Sequence, residues 1–146
     1  MSLFRGKSLY KFTVICIVLA FITLSLVGCG KFSVFKELNV KDKDIPEYYE
    51  TGKAILGEPG EGEFSGLWAT LETETDELAE EDARKIAASY ITDNTDYDLV
   101  SVRVRHYEKT YLAEYYKDES ALEKAGLNKE FDKWPAVSFE EIHDDD

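Results

Sequence analysis

Few side chains in this 146-residue chain belong to the types that perform chemistry unaided. There are two cysteines, Cys16 and Cys29, and two histidines, His106 and His143. Cys29 closes an apolar run and is followed by Gly30 and Lys31. A thiolate in such a place is a strong nucleophile that alkylates to a stable thioether. Cys16 lies inside the run, so the two thiols suggest neither a disulfide framework nor a thiol active site. His106 falls late in an alternating segment, on the side of its valines, and reads as a hairpin or edge residue rather than a ligand. His143 adjoins Glu140, Glu141 and Asp144 to Asp146, a set that reads as a solvated acidic end. Asp42, Asp44 and Glu47 lack calcium-loop spacing. Glu63-Phe64-Ser65-Gly66-Leu67 is not a nucleophile elbow. The Gly57 to Glu63 stretch lacks the Lys-Ser/Thr ending of a phosphate loop, and its glutamates would repel phosphate. Thirty acidic side chains offer an acid–base pair in principle, yet nothing singles out two of them. The expectation is a protein that is not an enzyme, with no metal and no cofactor.

Binding chemistry is better represented. Tyr48, Tyr49, Tyr107, Tyr111, Tyr115 and Tyr116 are many for so small a body, and tyrosine is enriched at protein contacts. They also suit a core too small for much aliphatic packing. Arg103 and Arg105 are a local basic pair on the outward face of an acidic domain, placed either to pair with neighbouring glutamates or to meet an acidic partner. Arg103, Arg105, Tyr111 and Tyr115 are therefore the candidate partner-binding residues. Tyr115 and Tyr116 must point to opposite faces of a strand, so both can be core only where both faces are covered.

The formal net charge is −13, but the first 28 residues hold no acid and carry Arg5, Lys7 and Lys11. Residues 29 to 146 therefore set 14 basic against 30 acidic side chains, a balance of −16. Such a surface repels phosphate backbones, which disfavours nucleic acid, and repels anionic headgroups too. The basic start followed by 17 apolar residues, Phe12 to Gly28, has the layout of an export signal. An ordinary cleaved signal and an uncleaved anchor both fit, the run being near the lower limit for spanning a bilayer. The third choice comes from Leu26-Val27-Gly28-Cys29, which resembles the lipobox of bacterial lipoproteins at every position. That resemblance, confined to residues 1 to about 30, implies cleavage between Gly28 and Cys29. It also implies a covalent diacylglycerol, with an added N-acyl chain, on Cys29. The bilayer then becomes the first partner, and the outer face of the cytoplasmic membrane the address. Two or more acyl chains give durable anchoring where one is reversible, which would offset the repulsion of an acidic domain.

The elements that must carry these residues follow from periodicity. Residues 29 to 45 read as a tether. Asp44-Ile45-Pro46 has the look of a helix start, which predicts a helix over Glu47 to Leu56 ending at Gly57. Residues 57 to 66, with four glycines and one proline, form a loop. Leu67, Ala69 and Leu71 alternate with Trp68, Thr70 and Glu72, as in a strand. Ala79, Ala83, Ile86, Ala87, Tyr90 and Ile91 share one helical face behind an acidic first turn. Val100, Val102 and Val104 alternate with Ser101, Arg103 and Arg105, and residues 110 to 117 return as a hairpin partner. A short helix follows Asp118 and stops at Gly126, and a last strand lies near Ala136 to Phe139.

The predicted fold is α+β: a small antiparallel sheet packed by an amphipathic helix, preceded by a cleaved signal helix. Residues 46 to 140 form one domain and residues 141 to 146 an acidic tail. The Glu80 to Tyr116 segment, with its Glu80-Glu81-Asp82-Ala83 start, resembles PepSY-like and cystatin-like modules, in which such a helix precedes a hairpin. Together these features lead to a lipid-anchored, non-enzymatic module that binds or modulates another envelope protein. Small lipoproteins of this layout include modulators of envelope enzymes and entry-exclusion factors of conjugative elements. Capture of a small solute or envelope polymer is the alternative class.

Overall fold

Strand alternation and one amphipathic helix decide the architecture seen in the computed structural model, which describes residues 32–143. The elements run α1 (Val34–Glu37), β1 (Tyr48–Leu56), β2 (Gly66–Thr73), α2 (Glu80–Thr92), β3 (Leu99–His106), β4 (Lys109–Tyr116), α3 (Glu119–Lys124) and β5 (Ala136–Ile142). The five strands form one sheet in chain order, β1 to β5. The α+β class holds, but the sheet is mixed rather than purely antiparallel. β2 and β3 pair in parallel, from Gly66 opposite Leu99 to Glu72 opposite Arg105, and the other three ladders are antiparallel. A parallel pair cannot be closed by a tight turn and needs a crossover, and α2 supplies it.

The main core lies between α2 and one sheet face. Leu67, Ala69, Leu71, Val100, Val102 and Val104 are buried there with Ala83, Ile86, Ala87 and Ile91 of the helix. This is the face that alternation selected. Ala79 does not belong to it: the residue is exposed and caps the helix, and Leu78 is buried instead.

Two expected elements are replaced. The predicted helix over residues 47 to 56 is strand β1. Asp44 adopts a left-handed φ of 54°, so it is no helix cap. Tyr48, Tyr49, Thr51 and Ile55 favour extended backbone, and the segment completes its hydrogen bonds against β2. Tyr48 donates to Ser89 Oγ at 3.3 Å and Tyr90 donates to Glu50 Oε2 at 2.6 Å, fixing β1 to the helix. The register shifts between Glu50 and Gly52, a bulge in mid-strand. The expected tether also contains structure. Val34 and Leu38, one helical turn apart, are buried where α1 packs on α2. The Leu38 carbonyl accepts from Arg84 Nη1 at 3.3 Å.

At its other end the chain holds more sheet than expected. Glu141 and Ile142, assigned to the acidic tail, pair with Tyr111 and Thr110. The remaining tail residues, Asp144 to Asp146, lie outside the described residues. So does all of the expected signal helix.

The second sheet face is roofed at one end only. Leu99, Tyr116 and Leu122 form a buried cluster there, packed by Phe64, Ala125, Phe131 and Trp134. Tyr115 and Tyr116 are consequently both buried on opposite faces, because at this end both faces are covered. Asp118 caps α3 by accepting from the Ala121 amide at 2.7 Å, and Gly126 stops it with φ of 72°. The roof carries a charged clasp. Glu114 is nearly buried and accepts from Tyr116 Oη at 2.7 Å and from Lys129 Nζ at 2.9 Å. Lys129→Ala removes the cation and leaves a carboxylate with poor access to water. The expected cost is about 2 kcal/mol, seen as a lower urea midpoint with an unchanged slope. A loss below a few tenths of a kcal/mol would mean that the clasp contributes nothing.

Candidate functional site

Beyond the roof, the second face of the sheet is open. Strand alternation and register place Trp68, Thr70 and Glu72 of β2, Ser101, Arg103 and Arg105 of β3, and Thr110, Leu112 and Glu114 of β4 on this side. Trp68, Arg103 and Arg105 are exposed, whereas their chain neighbours Leu67, Ala69, Val102 and Val104 are buried on the helix side. A shallow groove of about 500 Å³ runs over this surface, bounded by Trp68, Thr70, Ser101, Arg103, Leu112 and Glu114. Gly52 and Ala54 of β1 leave its rim low.

Local sequence explains the groove's shape. A side chain on Gly66 would meet the Trp68 ring at 2.5 Å, so the indole lies back along its own strand over the bare glycine. Glycine inside a strand marks just such close approaches. Trp68 still exposes 37% of its surface. Among the described residues neither Arg103 nor Arg105 takes part in an ion pair. This holds although Glu72 sits directly across the ladder from Arg105. Thr110, across the next ladder from Arg105, has a buried hydroxyl with no hydrogen-bond partner.

The four residues expected to form one binding surface are thus divided. Arg103 and Arg105 face solvent on the open side. Tyr111 and Tyr115 lie on the helix side, each only 3% exposed. Tyr111 stacks on Phe139 with centroids 5.5 Å apart, and Arg84 lies 4.3 Å over that same Phe139 ring. Both tyrosines are core, because their positions on β4 carry them beneath α2. Burial, then the nearby Glu141 and Glu80, raises the Tyr111 pKa; burial, then Asp118, Asp96 and Asp98, raises that of Tyr115. The groove residue that the sequence pointed to without its being singled out is Trp68, a bulky aromatic standing in the polar phase of an alternating strand.

The remaining chemical candidates have structural duties. Ser65 is buried, and its amide donates to Asp98 Oδ2 at 2.9 Å. Its hydroxyl and carbonyl bind the same Asp98–Leu99 corner, clipping the start of β3 to β2. His106 ends β3 at a two-residue hairpin turn and lies edge-on to Tyr107 at 4.4 Å. Tyr107 has φ of 51° and is 87% exposed. Among the described residues no three His, Cys, Asp or Glu side chains converge as a metal site.

Two further clefts are open as well. One of about 420 Å³ lies between Tyr49, Glu74, Asp76 and the Arg105–Tyr107 corner. The other, of about 810 Å³, lies beside α1 among Lys36, Lys41, Asp42, Lys43 and Lys85. No helix among the described residues is long and apolar enough to cross a membrane. Gly28, Cys29 and the run before them lie outside the described residues. No family model, curated protein or solved structure matches the chain.

Proposed function

We propose that this chain is the precursor of a bacterial lipoprotein, held by acyl chains on Cys29 at the outer face of the cytoplasmic membrane. Its α+β domain acts there by binding another envelope protein rather than by catalysis. The observation that carries the address is the order Leu26-Val27-Gly28-Cys29 at the end of a 17-residue apolar run with a basic start. The role draws support from the open sheet face, where an exposed tryptophan shares a groove with Arg103 and Arg105 follows two residues on, both arginines lacking an ion pair among the described residues. The three clefts described all open to solvent, and two of them are lined largely by polar and charged side chains. That favours a surface contact over an enclosed small-molecule site. Both modulation of an envelope enzyme and entry exclusion would use such a contact.

Mass spectrometry of the protein extracted from membranes tests the address. The expected species begins at Cys29 and carries the added mass of a diacylglyceryl group. Cys29→Ala should accumulate as a chain that keeps residues 1 to 28 and has no lipid mass. A wild-type protein that retains residues 1 to 28 without acylation would refute the assignment.

A further inference from the structure

The open sheet face has a charge pattern that selects one kind of occupant. Resting on the protein-binding role proposed above, we infer that this face docks an extended segment of a partner protein with acidic side chains at alternate positions. The groove over Trp68 and Leu112 takes the apolar residues of that segment.

Arg103 and Arg105 stand two residues apart on β3, so their side chains leave the sheet on the same side, about 6.6 Å apart. A polypeptide laid out as a strand has the same repeat, which brings its i and i+2 carboxylates over the two guanidinium groups together. Guanidinium–carboxylate contacts are charge-assisted and frequently bidentate. The chain has abundant acid with which to neutralise these arginines, and Glu72 faces Arg105 across the ladder. Even so, neither arginine is in an ion pair among the described residues. Both guanidinium groups thus remain available.

The surroundings decide against a continuous polyanion such as a phosphate polymer. Glu72, Glu114 and Glu140 flank the pair on this same face and would meet successive phosphates. The whole chain also carries −13. A segment with two acids at i and i+2, continued on the same face by apolar side chains at i+4 and i+6, avoids those carboxylates and fills the groove beside the exposed Trp68.

The test uses the full chain in detergent and three probes: a capped seven-residue peptide Glu-Thr-Glu-Thr-Val-Thr-Val, whose acids and valines share one face when extended, its counterpart with lysine for glutamate, and inorganic polyphosphate. Tryptophan fluorescence reports binding, with Trp68→Phe to show that the signal arises in the groove. The glutamate peptide should bind and weaken with added salt. Arg103→Gln and Arg105→Gln should each lower its affinity about tenfold. Both arginines are exposed, so the variants should melt as the wild type does, which separates lost docking from lost fold. Equal binding of the lysine peptide, tighter binding of polyphosphate, no binding of any probe, or affinity unchanged by both arginine variants would overturn the inference. Suppose a partner crosslinked in intact membranes is held equally well by the double variant. The protein-binding role then stands, and this face is not its site.

Discussion

Raised above pH 10, this protein should lose its fold in one step before pH 12. Four tyrosines, Tyr90, Tyr111, Tyr115 and Tyr116, have pKa values pushed above the ordinary tyrosine range, each chiefly by burial. For Tyr90 the hydrogen bond to Glu50 adds to the effect, and for Tyr116 that to Glu114, since a phenolate beside either carboxylate would repel it. A raised pKa means that the folded state holds its phenolic proton more tightly than the unfolded chain does. The associated stability is complete below the unfolded value of about 10 and is lost as pH climbs through and beyond it. Each such group removes about 1.4 kcal/mol per pH unit in that window. Tyr90 and Tyr116, whose values are pushed furthest, together remove about 3 kcal/mol per unit, and Tyr111 and Tyr115 act in the same direction, against a total domain stability of about 5–15 kcal/mol. Circular dichroism and the ultraviolet absorbance of tyrosinate should therefore change together. Tyr116→Phe should flatten the decline. A fold that persists beyond pH 12, with the four rings ionising gradually, would show that these hydroxyls are not sealed in.

Truncating Ile86 should cost far more than truncating Ile55, although both are isoleucines in regular structure. Ile86 is fully buried at the centre of the α2–sheet contact. Removing its outer carbons leaves a cavity between the helix and the sheet, for an expected loss of about 3 kcal/mol. The melting temperature should fall by roughly 10–15 °C. Ile55 is 53% exposed on edge strand β1, and its replacement by alanine should stay within about 0.5 kcal/mol. Thermal melts of the two variants decide the matter. Equal losses would mean that residues 48 to 56 are packed as an interior element and not as an edge.

The contrast between these residues also explains what could be read from the chain alone. α2, β2 and β3 each bury one face and leave the other more open, so the 3.6 and 2.0 periods are written into their sequences, whereas β4 is buried on both faces and was legible as the partner of β3 across a tight turn. β1 has no such imprint. Apart from Tyr48 every one of its residues is exposed, so no alternation was selected for. What remained visible was Asp44-Ile45-Pro46, a combination that serves a helix start in other settings. The parallel pairing of β2 with β3 was likewise hidden, because a strand pattern does not say which neighbour it joins. The helix between them was the available clue, since a helix joining two adjacent strands accommodates a parallel ladder more readily than a hairpin can. The arginine pair was visible as an outward stripe. Its separation from Tyr111 and Tyr115 was not, because strand parity relates residues within β3 or within β4, and only the ladder register fixes one against the other.

Strand order carries a last consequence. Each strand neighbours the one before it in the chain, and no later strand is inserted between two earlier ones. A polypeptide delivered in one direction can thus add each strand to an edge that already exists, with no connection that has to pass over an intervening strand, which is the kind of connectivity that favours rapid assembly. Until β5 arrives, β4 serves as the temporary border of the sheet. Emergence through a narrow passage, strand by strand, would at no point require finished structure to be reopened.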